Sequence, residues 1–306
     1  MKLVPGRELL AEAAAGGYAL GAFNFSNLEF LQAIVAAATE TRTPVLLCTS
    51  EGAVKYAGLA NIVALARAAA ESCPVPLCLH LDHGQDLELV RACIEAGYTS
   101  VMIDASELPF EENVVKTAAV VEMARPRGVS VEAELGRLVG IEDSVRVEER
   151  DAVLVDPGQA GDFVRRTGVD SLAPAVGTAH GAFKFKGEPK LDIERLERVR
   201  EATGGLPLVL HGASSVPAAV LEACRQAGVE LPGAKGVPED QLRAAIRAGV
   251  RKVNTDTDLR MAFLAAVRST ITGRPGEIDP RRYLGPGREA VRELVRDRVR
   301  LLREPA

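Results

Sequence analysis

Three of the four histidines in this 306-residue chain are followed by glycine: His83-Gly84, His180-Gly181 and His211-Gly212. Imidazole is the commonest side-chain ligand for zinc-like cations, and three imidazoles with an open fourth position form a catalytic geometry. Asp82 adjoins the first of them and with it closes an apolar run. Asp104 follows Val101-Met102-Ile103, and Glu134 lies in Val131-Glu132-Ala133-Glu134-Leu135. A carboxylate closing an apolar run is costly to bury without a cation or a donor. Pairing with Arg137 or Lys252 is the structural alternative, and Glu132 shares Glu134's parity, so either can be the purely structural partner. His80 alternates with Leu79 and Leu81 on Asp82's parity, one layer deeper. It is expected to pack or to support the site, not to bind a cation.

Glycine-rich stretches supply further chemistry. His180-Gly181-Ala182-Phe183-Lys184, His211-Gly212-Ala213-Ser214-Ser215 and Asn254-Thr255-Asp256-Thr257 all follow apolar runs. Small residues there leave backbone N–H groups and hydroxyls available to a phosphate.

These residues need elements to position them. Short β-rich runs alternate with helix-period runs, giving eight strand candidates: 18–25, 44–49, 75–81, 100–104, 130–135, 171–176, 208–210 and 249–253. Ser26-x-x-Glu29 reads as a capping box for a helix through Thr41. Helices are further expected at 59–72, 87–96, 110–124, 160–167, 193–202, 218–227, 239–248 and 258–270. A last one, 288–302, follows a Pro/Gly-rich turn. Long loops are expected at 142–151 and 230–237. Eight β-then-α units without a linker predict one (β/α)8 TIM barrel over 1–306, with a helical extension from about 271. The competing open doubly wound sheet lacks its G-x-G-x-x-G after the first strand. Polar residues close every unit: Asn24, Ser50, Asp82-His83, Asp104, Glu134, His180, His211 and Asn254 to Asp256. In such a barrel they share the C-terminal rim, and the loops after strands seven and eight are the usual phosphate site.

Composition narrows the class. A net charge of −5 without a basic tract gives no footprint for nucleic acid. The N-terminus shows no signal-peptide core, and no apolar run approaches a membrane span. Five scattered cysteines without a C-x-x-C point to buried thiols and a reduced, cytoplasmic setting.

Five segments then stand out together: Leu79-His80-Leu81-Asp82-His83-Gly84, Val131 to Gly136, Gly177-Thr178-Ala179-His180-Gly181, Val209-Leu210-His211-Gly212-Ala213-Ser214 and Lys252 to Arg260. Over essentially the whole chain and in order, they resemble the signature segments of class II fructose-1,6-bisphosphate aldolases. The resemblance implies a homo-oligomer, dimer or tetramer, that cleaves fructose 1,6-bisphosphate reversibly to dihydroxyacetone phosphate and glyceraldehyde 3-phosphate. It implies a catalytic Zn²⁺ or Co²⁺ on His83, His180 and His211, and a second divalent ion on Asp104 and Glu134. A monovalent cation (K⁺, Na⁺ or NH₄⁺) is implied near the phosphate loop. Asp82 matches the acid/base at the C4 hydroxyl, and Glu142 the mobile glutamate at the C3 proton. Gly181, Lys184, Gly212, Ala213, Ser214, Asn254, Thr255, Asp256 and Thr257 match or adjoin the dihydroxyacetone phosphate site. Asn24 and Ser50 fall near the aldehyde half, and Arg260 and Arg281 resemble residues reaching the distal phosphate. Two departures are Val139 in the Glu142 loop and Ser215, where many members have glycine.

The implied chemistry removes a proton next to a ketone, and a chelated divalent cation stabilises the resulting enediolate without a Schiff-base lysine. Tagatose 1,6-bisphosphate would use the same metal and phosphate residues. A non-catalytic phosphosugar-binding barrel would not need all three histidines. A barrel metallohydrolase usually carries an H-x-H pair after the first strand, and Ala22-Phe23-Asn24-Phe25 has none.

Overall fold

The computed structural model describes residues 3–137, 139–142, 145–147, 153–177, 179–180, 190–230 and 236–304, with 139–142, 145–147 and 179–180 described for their backbone alone. Eight parallel strands close a barrel: β1 (Leu20–Asn24), β2 (Val45–Ser50), β3 (Leu77–Gly84), β4 (Ser100–Ile103), β5 (Ser130–Leu135), β6 (Ser171–Pro174), β7 (Leu208–Leu210) and β8 (Val250–Thr255). β1 seals the ring against β8 from Leu20↔Lys252 to Phe23↔Thr255. The expected TIM barrel is therefore the observed fold.

Alternation along the strands decides what the barrel encloses. Outward residues such as Phe23, Leu47, Leu79, Val101 and Val131 join the helices in one continuous apolar core. Inward, Leu20, Ala22, Leu46, Cys48 and Cys78 pack with Leu9 and Ala13 of a helix over Gly6–Gly16, which sequence periodicity had not suggested. That helix covers the N-terminal ends of the strands, and Arg7 N–H donates to Ser130 Oγ at 3.0 Å. The opposite rim stays polar, with Asn24, Asp82, Asp104, Glu134 and Asn254 all on the inward parity.

Four local expectations are corrected. Asn27, not Ser26, caps the helix Leu28–Thr41, its Oδ1 accepting Phe30 N–H at 3.1 Å. Part of the expected long loop folds instead, Val139–Glu142 pairing antiparallel with Val145–Val147. β6 stops at Pro174, and His180 belongs to a two-residue strand, Ala179–His180, that pairs in parallel with Val139–Gly140 outside the barrel. The last helix spans Pro280–Arg303 and runs through the Pro286-Gly287 pair that reads as a turn. Gly287 is buried there, and a Cβ on it would come within 2.7 Å of Phe263, so glycine lets two helices approach closely. All five cysteines are free and buried, and among the described residues no helix is long and apolar enough to cross a membrane.

Candidate active site

A one-residue bulge builds the centre of the site. Between Leu81↔Val101 and Gly84↔Ile103, β3 advances three residues while β4 advances two. The extra residue breaks alternation, and His83 takes φ +50°, a conformation rare for a residue with a Cβ. Consecutive residues Asp82 and His83 can thereby both face the barrel mouth. A Cβ at Gly84 would lie 2.7 Å from the Met102 carbonyl oxygen, so the bulge requires glycine next to the histidine.

His83 and His211 meet across the barrel, Nε2 to Nδ1, at 2.9 Å. Their outer nitrogens fix the tautomers. His83 Nδ1 lies 3.0 Å from Asp104 Oδ2, and His211 Nε2 lies 2.8 Å from Glu132 Oε1. Carboxylates accept, so each outer nitrogen carries the proton and each inner one presents a lone pair. Two lone pairs aimed at each other repel unless a cation sits between them, and a carboxylate behind each imidazole is the usual support of a metal-binding histidine. A proton is a poor substitute, since burial and the neighbouring His83 hold the His211 pKa below its ordinary value. The donor set therefore fits a divalent metal. Two groups of possible ligands share His83: Asp82, His83 and His211, and His83, Asp104 and Glu134. Glu134 Oε2 lies 3.7 Å from His83 Nδ1. Burial alone would raise the Asp104 pKa, but His83 and Ser106 hold it well below the usual carboxylate range.

Asp82 is bracketed. Asn24 Nδ2 donates to its Oδ2 and Asn254 Nδ2 to its Oδ1, both at 2.8 Å. The resemblance placed these asparagines on substrate, and the structure shows their amides also orient the candidate acid/base. Among the described residues, the buried Oδ1 atoms of both asparagines have no hydrogen-bond partner.

Beneath the histidines lies a charged layer whose polarity is balanced. Lys252 Nζ reaches Glu132 at 2.8 and 3.0 Å and His80 Nε2 at 3.2 Å. An ammonium only donates, so His80 Nε2 accepts and its Nδ1 proton goes to Ser100 Oγ, 2.8 Å away. Burial and the Lys252 charge push the His80 pKa down to about 3, so it stays neutral. Burial works most strongly against the Lys252 charge, but Glu132, Cys48 and Asp82 together raise that pKa. Lys252 is thus an ammonium rather than a nucleophilic amine. We expect Glu132→Gln to weaken Zn²⁺ binding about 10–100-fold in chelator competition, because it loosens His211. It also strands a buried ammonium, so unfolding stability should fall by about 3–5 kcal/mol in urea titration. Unchanged metal affinity would reject this role for Glu132.

The other expected residues distribute as follows. Ser50 caps the helix Glu51–Ala57, accepting Ala53 N–H at 3.2 Å. It lines a cleft with Asn24, Asp256 and Arg260, where Arg260 pairs with Asp256 at 2.8 Å. Gly212 takes φ +60°, and Ala213 and Ser214 are buried in the turn after β7. Thr255 alternates to the outer face and is fully buried, while Thr257 opens the helix Thr257–Gly273. Arg281 is 89% exposed and pairs with Asp279 on the surface, so it is not drawn to the cluster. Gly181 and Lys184 lie outside the described residues, as do the side chains of His180 and Glu142. The backbones of the last two share the small sheet, Gly140 pairing with His180. Sequence reasoning missed Glu51, whose Oε1 accepts the N–H groups of Gln85 and Asp86 at 2.7 and 2.9 Å and holds the turn behind His83. No local signal marks it, since it arrives from a different β/α unit.

Comparison with known proteins agrees with this geometry. The chain matches the family description "Fructose-bisphosphate aldolase class-II" over residues 4–230 and 231–305. It is 51% identical over 301 residues to a fructose-bisphosphate aldolase of Helicobacter pylori, covering 98% of each chain. It is 52% identical over 299 residues to that of Thermus caldophilus, covering 98% of this chain and 97% of the other. The YdjI aldolase from Escherichia coli K12 superimposes with a TM-score of 0.80 at 31% identity, over 98% of this chain and 97% of that one. The facing histidines, the carboxylate beside them and the full-length match lead to one assignment: the chain belongs to the class-II fructose-bisphosphate aldolase family.

Proposed function

We propose that the chain cleaves fructose 1,6-bisphosphate reversibly to dihydroxyacetone phosphate and glyceraldehyde 3-phosphate, using Zn²⁺ or Co²⁺ held by His83, His211 and His180. The observation that carries this reading is the 2.9 Å approach of two imidazole lone pairs beside Asp82. A bound divalent ion supplies Lewis-acid polarisation of the ketone, worth several kcal/mol of charge stabilisation. Asp82, held by two amides, takes the C4 hydroxyl proton as the C3–C4 bond breaks and the aldehyde forms. The bonding electron pair stays with the dihydroxyacetone half, whose C3 then accepts a proton from Glu142. Condensation runs the same transfers backwards. The open Oδ1 atoms of Asn24 and Asn254 suit substrate hydroxyl donors. Lys252, charged and bound to Glu132, is not available as a Schiff-base amine.

The same reading assigns Gly181, Lys184, Gly212 to Ser214, Asn254, Asp256 and Thr257 to the dihydroxyacetone phosphate half, and Arg260 and Arg281 to the distal phosphate. Arg281 points to a homo-oligomer, because it needs a neighbouring subunit to reach a site. A second divalent ion belongs with Asp104 and Glu134, a monovalent cation with the phosphate loop, and the buried thiols with a reduced cytoplasm. The test is a comparison of kcat/KM for fructose 1,6-bisphosphate and for tagatose 1,6-bisphosphate, its C4 epimer. A preference for the fructose sugar of about tenfold or more is expected, because a misdirected C4 hydroxyl leaves buried polar groups unpaired. Faster turnover of the tagatose sugar would overturn the assignment, and turnover of neither would remove the aldolase reading.

A further inference from the structure

The turn after β7 is bent by groups that the aldol chemistry does not use. Val216 holds φ +45°, a costly conformation for a β-branched residue that persists only where its surroundings impose it. Three contacts impose it. Asp258, fully buried in the first turn of the helix Thr257–Gly273, accepts the N–H groups of Ser215 and Val216, each at 3.0 Å. Arg298 reaches in from the last helix with its side chain 3% exposed. Its Nη2 donates to Asp258 Oδ2 at 2.9 Å and to Ser215 Oγ. From the far side, Val237 N–H donates to the Ser214 carbonyl at 3.2 Å, and a Cβ on Gly236 would stand 2.2 Å from the Ser215 carbonyl carbon.

This arrangement divides the backbone donors of the turn. Asp258 takes those of Ser215 and Val216. Among the described residues, no protein acceptor takes the N–H of Ala213 or Ser214, the donors nearer His211. Ser215, the departure noted in the sequence, thereby has a role, because its hydroxyl accepts from Arg298.

We propose that Arg298 is a positioning residue for phosphate binding. From the C-terminal helix it locks, through Asp258 and Ser215, the turn whose Gly212–Ser214 backbone receives a substrate phosphate. The proposal rests on the phosphosugar reading above. Arg298 acts in two ways. Its guanidinium neutralises Asp258, whose uncompensated charge would repel a phosphate a few residues away. The same Nη2 that meets Asp258 also holds the Ser215 hydroxyl, so that Val216 keeps its left-handed conformation.

Calorimetric titration of inorganic phosphate into the metal-loaded full chain tests this, alongside KM and kcat for fructose 1,6-bisphosphate. Arg298→Met should weaken phosphate binding and raise KM about tenfold, with kcat changing less than about threefold, as expected for losing a charged hydrogen bond behind a ligand. Bound metal should stay at the parent's stoichiometry. Arg298→Lys, which keeps the charge but moves the donor from the Nη2 position, and Ser215→Gly should each cost about threefold. Adding Asp258→Asn to Arg298→Met should recover part of the loss. If Arg298→Met fails to fold, the milder pair carries the test. Folded Arg298→Lys and Ser215→Gly that both bind phosphate as the parent does would overturn the proposal, as would a parent that binds none. A parent that binds phosphate, with affinity falling in the variants, supports the clamp even if fructose 1,6-bisphosphate is not cleaved, and that result would remove only the aldolase reading.

Discussion

Exhaustive EDTA treatment is expected to take cleavage of fructose 1,6-bisphosphate down to background, and Zn²⁺ or Co²⁺ to bring it back. The reason lies in the two inner nitrogens. Asp104 and Glu132 oblige His83 and His211 to carry their protons on the outside. With both protons outside, the inner pair at 2.9 Å offers two lone pairs to one cation, the arrangement of a ligand pair. Among the described residues no buried group nearby replaces a cation in the chemistry, since Lys252 is tied to Glu132 and His80 is neutral. A second readout separates a bound ion from a bystander: metal that binds only the folded chain stabilises it by about 2.7 kcal/mol at a hundredfold excess over Kd. The melting temperature should rise on metal return and fall again on chelation. Activity that survives complete removal, verified by elemental analysis, would sink the metal-dependent mechanism.

How much of this was readable beforehand depends on where each constraint comes from. The barrel was, because eight β/α units impose their two periodicities on the sequence, and strand parity alone puts Asn24, Asp82, Asp104, Glu134 and Asn254 on one face. His83 lies on the wrong parity, and only the bulge at φ +50° turns it inward. Its motif suggested a ligand for reasons unconnected with alternation. His180 seemed to end a barrel strand because 172–176 is apolar throughout. The strand actually ends at Pro174, which has no N–H for the β7 side, although Ala175 N–H still donates to the Leu135 carbonyl. Glu132 and Glu134 could not be ranked, since parity makes them equivalent. Depth separates them: Glu132 sits level with Lys252 and balances it, while Glu134 sits at the rim with Asp104 and His83. The pairs Asn24–Asp82, Glu51–Gln85 and Arg298–Ser215 join distant units, and no local pattern encodes such contacts.

Asp82→Asn is expected to lower kcat for fructose 1,6-bisphosphate by about 10²–10⁴-fold, the usual contribution of a positioned acid/base, with little change in KM. The substitution keeps the shape and removes the ability to hold a proton, so the outcome depends on whether the site stays assembled. Asn24 and Asn254 each aim an amide donor at the Asp82 carboxylate at 2.8 Å. An asparagine there offers one oxygen and one NH₂, so one neighbour would meet donor against donor. That neighbour has a remedy. Its Oδ1 is buried without a hydrogen-bond partner among the described residues, so a half-turn of its amide presents an acceptor to the new NH₂. The unfolding free energy should then change by less than about 1 kcal/mol, the net worth of one neutral hydrogen bond. Metal content decides the remaining question. Asp82 Oδ1 stands 4.0 Å from His211 Nδ1, near enough to join the ligands and far enough to act on substrate alone. If Asp82 serves as acid/base, the variant keeps its metal and loses its rate, and kcat no longer follows the ionisation of a carboxylate. If the variant instead loses metal in proportion to activity, Asp82 is a ligand and the C4 proton must go elsewhere. A kcat within tenfold of the parent, with metal retained, would reject both roles.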